Sequence, residues 1–214
     1  MERKLPFVEG QFYHLYNRGV DKRAVFTSAI DYKRFMMLLY LANSSENVRM
    51  ANVVQYHSYE EILAMDRGTP LVAIGAFCLM PNHFHILVTP LVEGGVSKFM
   101  LKLQTGYSMY FNTKYNRIGT LFQGPFKSEH ADEDTYLKYL FSYIHLNPAK
   151  LKDQNWKEHI KTGSKELKNY IETYPYSSFR EIKDRESVIT NLSVFPEYLS
   201  NKKEIEAHIA DWLT

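Results

Sequence analysis

An α+β fold is predicted for these 214 residues: a split βαββαβ core with an antiparallel sheet and helices on one face. Three observations predict it. Segments of strand character and of helical spacing follow one another in the order strand, helix, strand, strand, helix, strand, helix. Two apolar, β-rich runs, LVAIGAFCL (71–79) and HFHILVT (83–89), are separated only by Met80-Pro81-Asn82 and read as a hairpin. Pro148 stops the last core helix, because a residue before proline avoids the helical region.

The first strand is expected at 11–20, QFYHLYNRGV, with Asn17-Arg18-Gly19 as a turn signal. Residues 28–42 read as a helix, with Phe35, Leu38 and Leu39 on one face and Lys33 and Arg34 on another. The polar stretch 43–70 reads as an insertion with a short helix near 59–65. A long helix is expected over 96–115, with Phe99, Leu103, Tyr107 and Tyr110 as its inner face. Residues 121–131 are expected to be extended. Asp132 or Asp134 is the expected cap of a helix over 135–146, since acidic residues suit that end of the dipole. The core is expected to span 8–150. Residues 151–214 form a helical and irregular C-terminal extension packed on it, with a last helix at 202–212.

Composition narrows the function classes. No apolar run approaches the roughly 20 residues of a membrane span, and MERKLPFVEG lacks the apolar region of a signal peptide. The single cysteine, Cys78, excludes an internal disulfide framework and a cysteine-rich zinc site. Both point to the cytoplasm. A net charge of +2 does not advertise nucleic-acid binding. The 16 tyrosines and 13 phenylalanines, many beside Lys, Arg or Asn, suit either an ordinary aromatic core or a surface on which unpaired bases stack.

His83 and His85 point to one face of their strand and Phe84 to the other. Strand rise sets the two imidazoles roughly 6–7 Å apart at the backbone, so their nitrogens can converge on one divalent ion. Such a pair also occurs as two half-buried histidines bonded to neighbours, and metal binding needs a further ligand. The other histidines (14, 57, 130, 145, 159, 208) are scattered and form no second metal motif.

The segment SYIHLNP (142–148) supplies a partner. Tyr143 and Asn147, four residues apart on a helix, are about 40° apart in azimuth and roughly 6 Å along the axis. Leu137, Leu140, Phe141 and Ile144 form the neighbouring stripe that seats the helix on the sheet. His145 is about 200° from Tyr143 and is left out of the site. An amide oxygen of Asn147 suits a hard cation, and with His83 and His85 it makes a metal site beside a phenol. A phenol is a poor nucleophile at neutral pH. An ion that polarises a phosphate oxygen assists its attack on a phosphodiester, which leaves a 5′-phosphotyrosine and a free 3′-OH. Tyr136 and Tyr139 lie on the same helix, and spacing alone does not select Tyr143.

MPNHFHILV followed by YIHLNPAKL resembles the IS200-like single-tyrosine (Y1) transposases of the HUH superfamily, and most closely their branch associated with repetitive extragenic palindromes (REP). HLYNRG (14–19), RIGTLFQGPFKS (117–128) and YPYSSF (174–179) support the resemblance, which spans about 8–180. It implies a ferredoxin-like, RNA-recognition-motif-like palm. It implies Tyr143 as the attacking residue and His83, His85 and Asn147 as ligands of Mg²⁺ or Mn²⁺. The implied substrate is single-stranded DNA carrying a hairpin, cut and rejoined by a monomer or a homodimer. Two other readings remain: a domesticated nucleic-acid-binding module of the same fold without cleavage, and a metallohydrolase using the histidine pair. Arg18, Lys22 and Arg23 after the first strand, and Lys114, Arg117 and Lys127 beside Tyr115 and Phe122, are the candidate DNA contacts, as phosphate binding needs such cations.

Overall fold

The computed structural model describes residues 6–46, 53–54, 56–184 and 188–199. The helix expected at 202–212 lies outside them. Strand β1 (Phe12–Arg18) leads through a short 3-10 turn to α1 (Ala29–Leu41), and α2 (Tyr59–Ala64) follows. Strands β2 (Val72–Met80) and β3 (His83–Pro90) form the hairpin, followed by α3 (Gly95–Lys114). Then come β4 (Lys127–Ala131) and α4 (Asp134–Leu146). Helices α5 (Ala149–Lys152), α6 (Trp156–Lys161), α7 (Lys165–Thr173) and α8 (Phe179–Asp184) complete the described chain with a 3-10 turn at Glu197–Leu199.

The sheet order is β2-β3-β1-β4, with antiparallel pairing throughout. The fold is therefore the expected α+β palm, with the histidine strand inside the sheet, but its helices pack on both faces rather than on one, because α4 buries an apolar stripe of its own. Helices α1 and α3 share one face. There Phe35, Leu38 and Leu39 meet Phe99, Leu103 and Tyr107 over Leu15, Phe84, Ile86 and Val88 of the sheet. Phe84 is fully buried, edge-on to Phe122, and anchors β3 from below. Helix α4 covers the opposite face, where Leu137, Phe141 and Ile144 sit on Ala73, Ala76, Cys78 and Leu87. Small residues on β2 allow that close approach.

Two boundaries differ from expectation. The extended segment 121–131 forms a ladder only from Lys127, because Gly124 has a positive φ of 80° and Pro125 follows it. Before that break Phe122 makes a single bridge to Gly19. The α4 cap is Glu133, with no side-chain capping bond, rather than Asp132 or Asp134. Asp134 is the first helical residue, and its carboxylate accepts from the Tyr198 hydroxyl at 2.8 Å.

The YPYSSF stretch covers the free edge of β2. Leu79 N–H donates to Tyr176 C=O (2.9 Å), Ser178 N–H to Phe77 C=O (3.0 Å), and Tyr174 Oη to Leu79 C=O (2.8 Å). An uncovered edge strand is a template for pairing with other chains. Ser178 Oγ also accepts from Phe77 N–H and lies 2.8 Å from buried His145 Nε2. Ser178→Ala strands both partners in the core and is expected to destabilise the protein by about 2 kcal/mol. Urea unfolding at pH 7 checks this.

Candidate active site

The hairpin turn is tied down before the histidines begin. Pro81 C=O accepts from Val25 and Phe26 N–H, and Asn82 Nδ2 donates to Lys22 C=O. Asn82 Oδ1 then lies 2.6 Å from His83 Nδ1. An amide oxygen only accepts, so Nδ1 carries the proton and His83 Nε2 keeps a bare lone pair. The His83 and His85 rings stand 4.9 Å apart and nearly perpendicular. Burial, with Arg18 and Lys150 adding to it, lowers the His83 pKa to about 4. Burial also takes His85 well below its ordinary value, helped by His14 and His83. Both imidazoles are therefore neutral at pH 7, as metal ligands must be. His85 Nε2 is buried and has no hydrogen-bond partner among the described residues.

Both histidines line a cavity of about 360 Å³ with Tyr16, Arg18, Gln123, Lys127 and Tyr143. Register explains the gathering: Tyr16 is opposite His85 and Arg18 opposite His83 across β1 and β3, while Lys127 is opposite Tyr16 across β1 and β4. The break at Gly124 and Pro125 leaves Gln123 hydrogen-bonded to Arg18 C=O through its backbone, at the cavity rim.

Tyr143 enters from the α4 side, its ring centroid 5.4 Å from that of His85. Tyr136, Tyr139 and Tyr143 stack in a ladder at 6.0 Å steps. Of these three only Tyr143 lines the cavity, while Tyr139 is exposed and Tyr136 donates to Glu129 Oε2. Burial first, then Tyr139, raises the Tyr143 pKa, so the phenol is protonated at neutral pH. Lys150 Nζ lies 4.5 Å over the Tyr143 ring and 3.5 Å from its hydroxyl.

Asn147 stands four residues on, fully buried. Its Nδ2 donates to Tyr143 C=O and its Oδ1 accepts from Lys150 Nζ, both at 2.8 Å. It does not line the cavity, and its oxygen is committed to Lys150 rather than turned to the histidines. Among the described residues no three His, Cys, Asp or Glu side chains converge on a metal position. His145, left out of the site by its azimuth, is buried against Ser178.

The six candidate cations divide. Arg18 and Lys127 line the cavity. Lys22 and Arg23 sit at the turn after β1, where the Arg23 guanidinium bonds Asp21 and Val20 C=O. Lys114 pairs at 2.6 Å with buried Asp31, and Arg117 lies over the Phe111 ring, both away from the cavity. Two residues at the site were not singled out by sequence reasoning. His14 Nε2 is 2.8 Å from His85 Nδ1, and Glu129 lies 3.7 Å behind it. The alternation of His14, Tyr16 and Arg18 along β1 was the available signal, but only the β1–β3 register joins it to His85.

The family described as "Transposase IS200 like" matches residues 9–147, most of the chain and every strand of the palm. The chain belongs to the IS200-like transposase family. The matched stretch contains His83, His85, Tyr143 and Asn147. A solved structure, that of a REP-associated tyrosine transposase bound to a REP hairpin, is 12% identical in sequence with a TM-score of 0.52. The likeness covers 92% of this chain and 94% of that one, and it shows a shared fold. A comparison with curated proteins returned no match. Among the described residues of this family member no helix is long and apolar enough to cross a membrane.

Proposed function

We propose that this IS200-like transposase cleaves and rejoins hairpin-bearing single-stranded DNA through a 5′-phosphotyrosine at Tyr143, with the aid of Mg²⁺ or Mn²⁺. The observation that carries the reading is one cavity holding a phenol, two neutral imidazoles and two cations, Arg18 and Lys127. The bare Nε2 of His83 and the unpartnered, buried Nε2 of His85 fit a divalent ion. Asn147 is its third ligand by resemblance, and that role requires its oxygen to leave Lys150. A bound ion supplies Lewis-acid polarisation of a phosphate oxygen.

The chain's own groups do the rest. Arg18 and Lys127 hold the phosphodiester by charge and hydrogen bonding. Tyr143 Oη forms the new bond to phosphorus as the bond to the 3′-oxygen breaks. The phenol loses its proton and the departing oxygen gains one, leaving a 3′-OH. The Lys150 ammonium beside the phenol favours its ionised form. The covalent bond conserves the ester for rejoining. The hairpin as substrate feature follows the solved relative, whose complex contains one.

Three oligonucleotides of equal length test the substrate class: a hairpin with single-stranded flanks taken from DNA beside the gene, the same sequence as full duplex, and an unstructured strand. With Mn²⁺, cleavage of the first alone is expected, and chelation abolishes it. Tight binding of the hairpin without cleavage favours a binding module. Cleavage that never yields a protein-linked strand favours a hydrolase.

A further inference from the structure

The proposed metal reading requires a bare Nε2 on His85, and a neutral imidazole has one bare nitrogen of two. His85 Nδ1 faces His14 Nε2 at 2.8 Å, and only one proton fits between them. If His14 donates it, the His85 proton sits on Nε2 and blocks that nitrogen. If His85 donates it, His85 Nε2 is bare and the His14 proton sits on Nδ1. Buried His14 Nδ1 has no hydrogen-bond partner among the described residues, and the Glu129 carboxylate lies 3.7 Å away. The Tyr16 and Tyr136 hydroxyls hold that carboxylate, donating to Oε1 at 2.8 Å and Oε2 at 2.9 Å. Burial opposes its charge, but these two hydroxyls lead the contacts that keep its pKa below the ordinary value. A fixed anion favours an N–H over a lone pair on the nitrogen that faces it.

We infer that Glu129, acting through His14, sets the His85 tautomer, so that Nδ1 carries the proton and Nε2 is bare toward the cavity. Glu129 on β4, His14 on β1 and His85 on β3 form a relay across three adjacent strands, with His14 directly opposite Glu129 in register. Glu129 and His14 are positioning residues; neither lines the cavity. Carboxylates that orient metal-binding histidines in this way commonly alter metal affinity 10- to 100-fold when removed.

The inference rests on the metal reading only for its consequence, because the tautomer is measurable without metal. Long-range ¹H–¹⁵N correlation spectra of metal-free, [¹⁵N]histidine-labelled protein at pH 7, with His85 assigned by His85→Gln, report which ring nitrogen carries the proton. The expected result is Nδ1–H with bare Nε2 on His85 in wild type, and a shift toward Nε2–H in Glu129→Gln. Mn²⁺ affinity, read by electron paramagnetic resonance, is expected to fall about 10- to 100-fold in Glu129→Gln and to recover in Glu129→Asp. Wild-type His85 in the Nε2–H form overturns the inference, as does a Glu129→Gln spectrum in which His85 is unchanged. The expected tautomers in a protein that binds no Mn²⁺ support the relay and contradict the metal reading.

Discussion

Tyr143→Phe is expected to abolish the covalent DNA adduct and to lower strand cleavage by at least about 10³-fold, the scale on which removal of a nucleophile acts. The substitution deletes one oxygen. The ring keeps its place 5.4 Å from His85 and beneath the Lys150 ammonium, and its neighbours on α4 are untouched. Hairpin binding is therefore expected to persist, which separates a lost nucleophile from a lost site. Tyr139→Phe is the matched control. Tyr139 stacks on Tyr143 but faces solvent, and its variant is expected to cleave like wild type. A denaturing gel resolves protein-linked, cleaved and intact strands in one lane.

Asp31→Asn is expected to cost about 3 kcal/mol, close to the effect of stranding a buried ion pair. The carboxylate is fully buried and gathers donors from the N-terminal cap of α1 and from the C-terminal end of α3. Oδ2 accepts from Thr27 and Ser28 N–H and from Tyr115 Oη, and Oδ1 from Tyr110 Oη and Lys114 Nζ. An amide presents two N–H groups to this ring of donors. Lys114 keeps some solvent exposure, which moderates the loss. In a chain of this size the change corresponds to roughly 6–12 °C in Tm.

The same carboxylate gives a pH signature. Burial works to raise the Asp31 pKa, but Lys114, Tyr115, Thr27 and Tyr110 outweigh it and hold the pKa well below the carboxylate range. A depressed folded-state pKa contributes stability that is present above the unfolded value, near 3.9, and is lost as pH falls toward the folded one. The wild-type advantage over Asp31→Asn is expected to be constant above about pH 5 and to shrink below pH 4. Urea unfolding from pH 3 to pH 8 reads it.

Local pattern reached far into the site. The alternation of His83, Phe84 and His85 fixed which face each side chain takes, and Phe84 is buried opposite the histidines. The stripe Leu137, Leu140, Phe141 and Ile144 seated α4 on the sheet and so turned Tyr143 toward β3. What local pattern did not carry was pairing across the chain. His14 reaches His85 across 71 residues, and Lys114, a candidate DNA contact, meets Asp31 across 83. Asn147 has the azimuth expected of a ligand, yet Lys150, one turn on, takes its oxygen. The use of YPYSSF as an edge cover depended on Phe77 and Leu79, some hundred residues earlier.

The claim that Tyr143 becomes joined to DNA is tested most directly on the linked peptide itself. Wild-type protein is incubated with Mn²⁺ and the hairpin strand, denatured, and digested with nuclease and trypsin. The tryptic peptide 139–150, YLFSYIHLNPAK, contains both Tyr139 and Tyr143, so fragmentation spectra must place the remnant. The expected result is a nucleotide phosphate on Tyr143. A remnant on Tyr139 or on any other residue contradicts the account, and so do cleaved strands that carry free 5′-phosphates and no linked peptide.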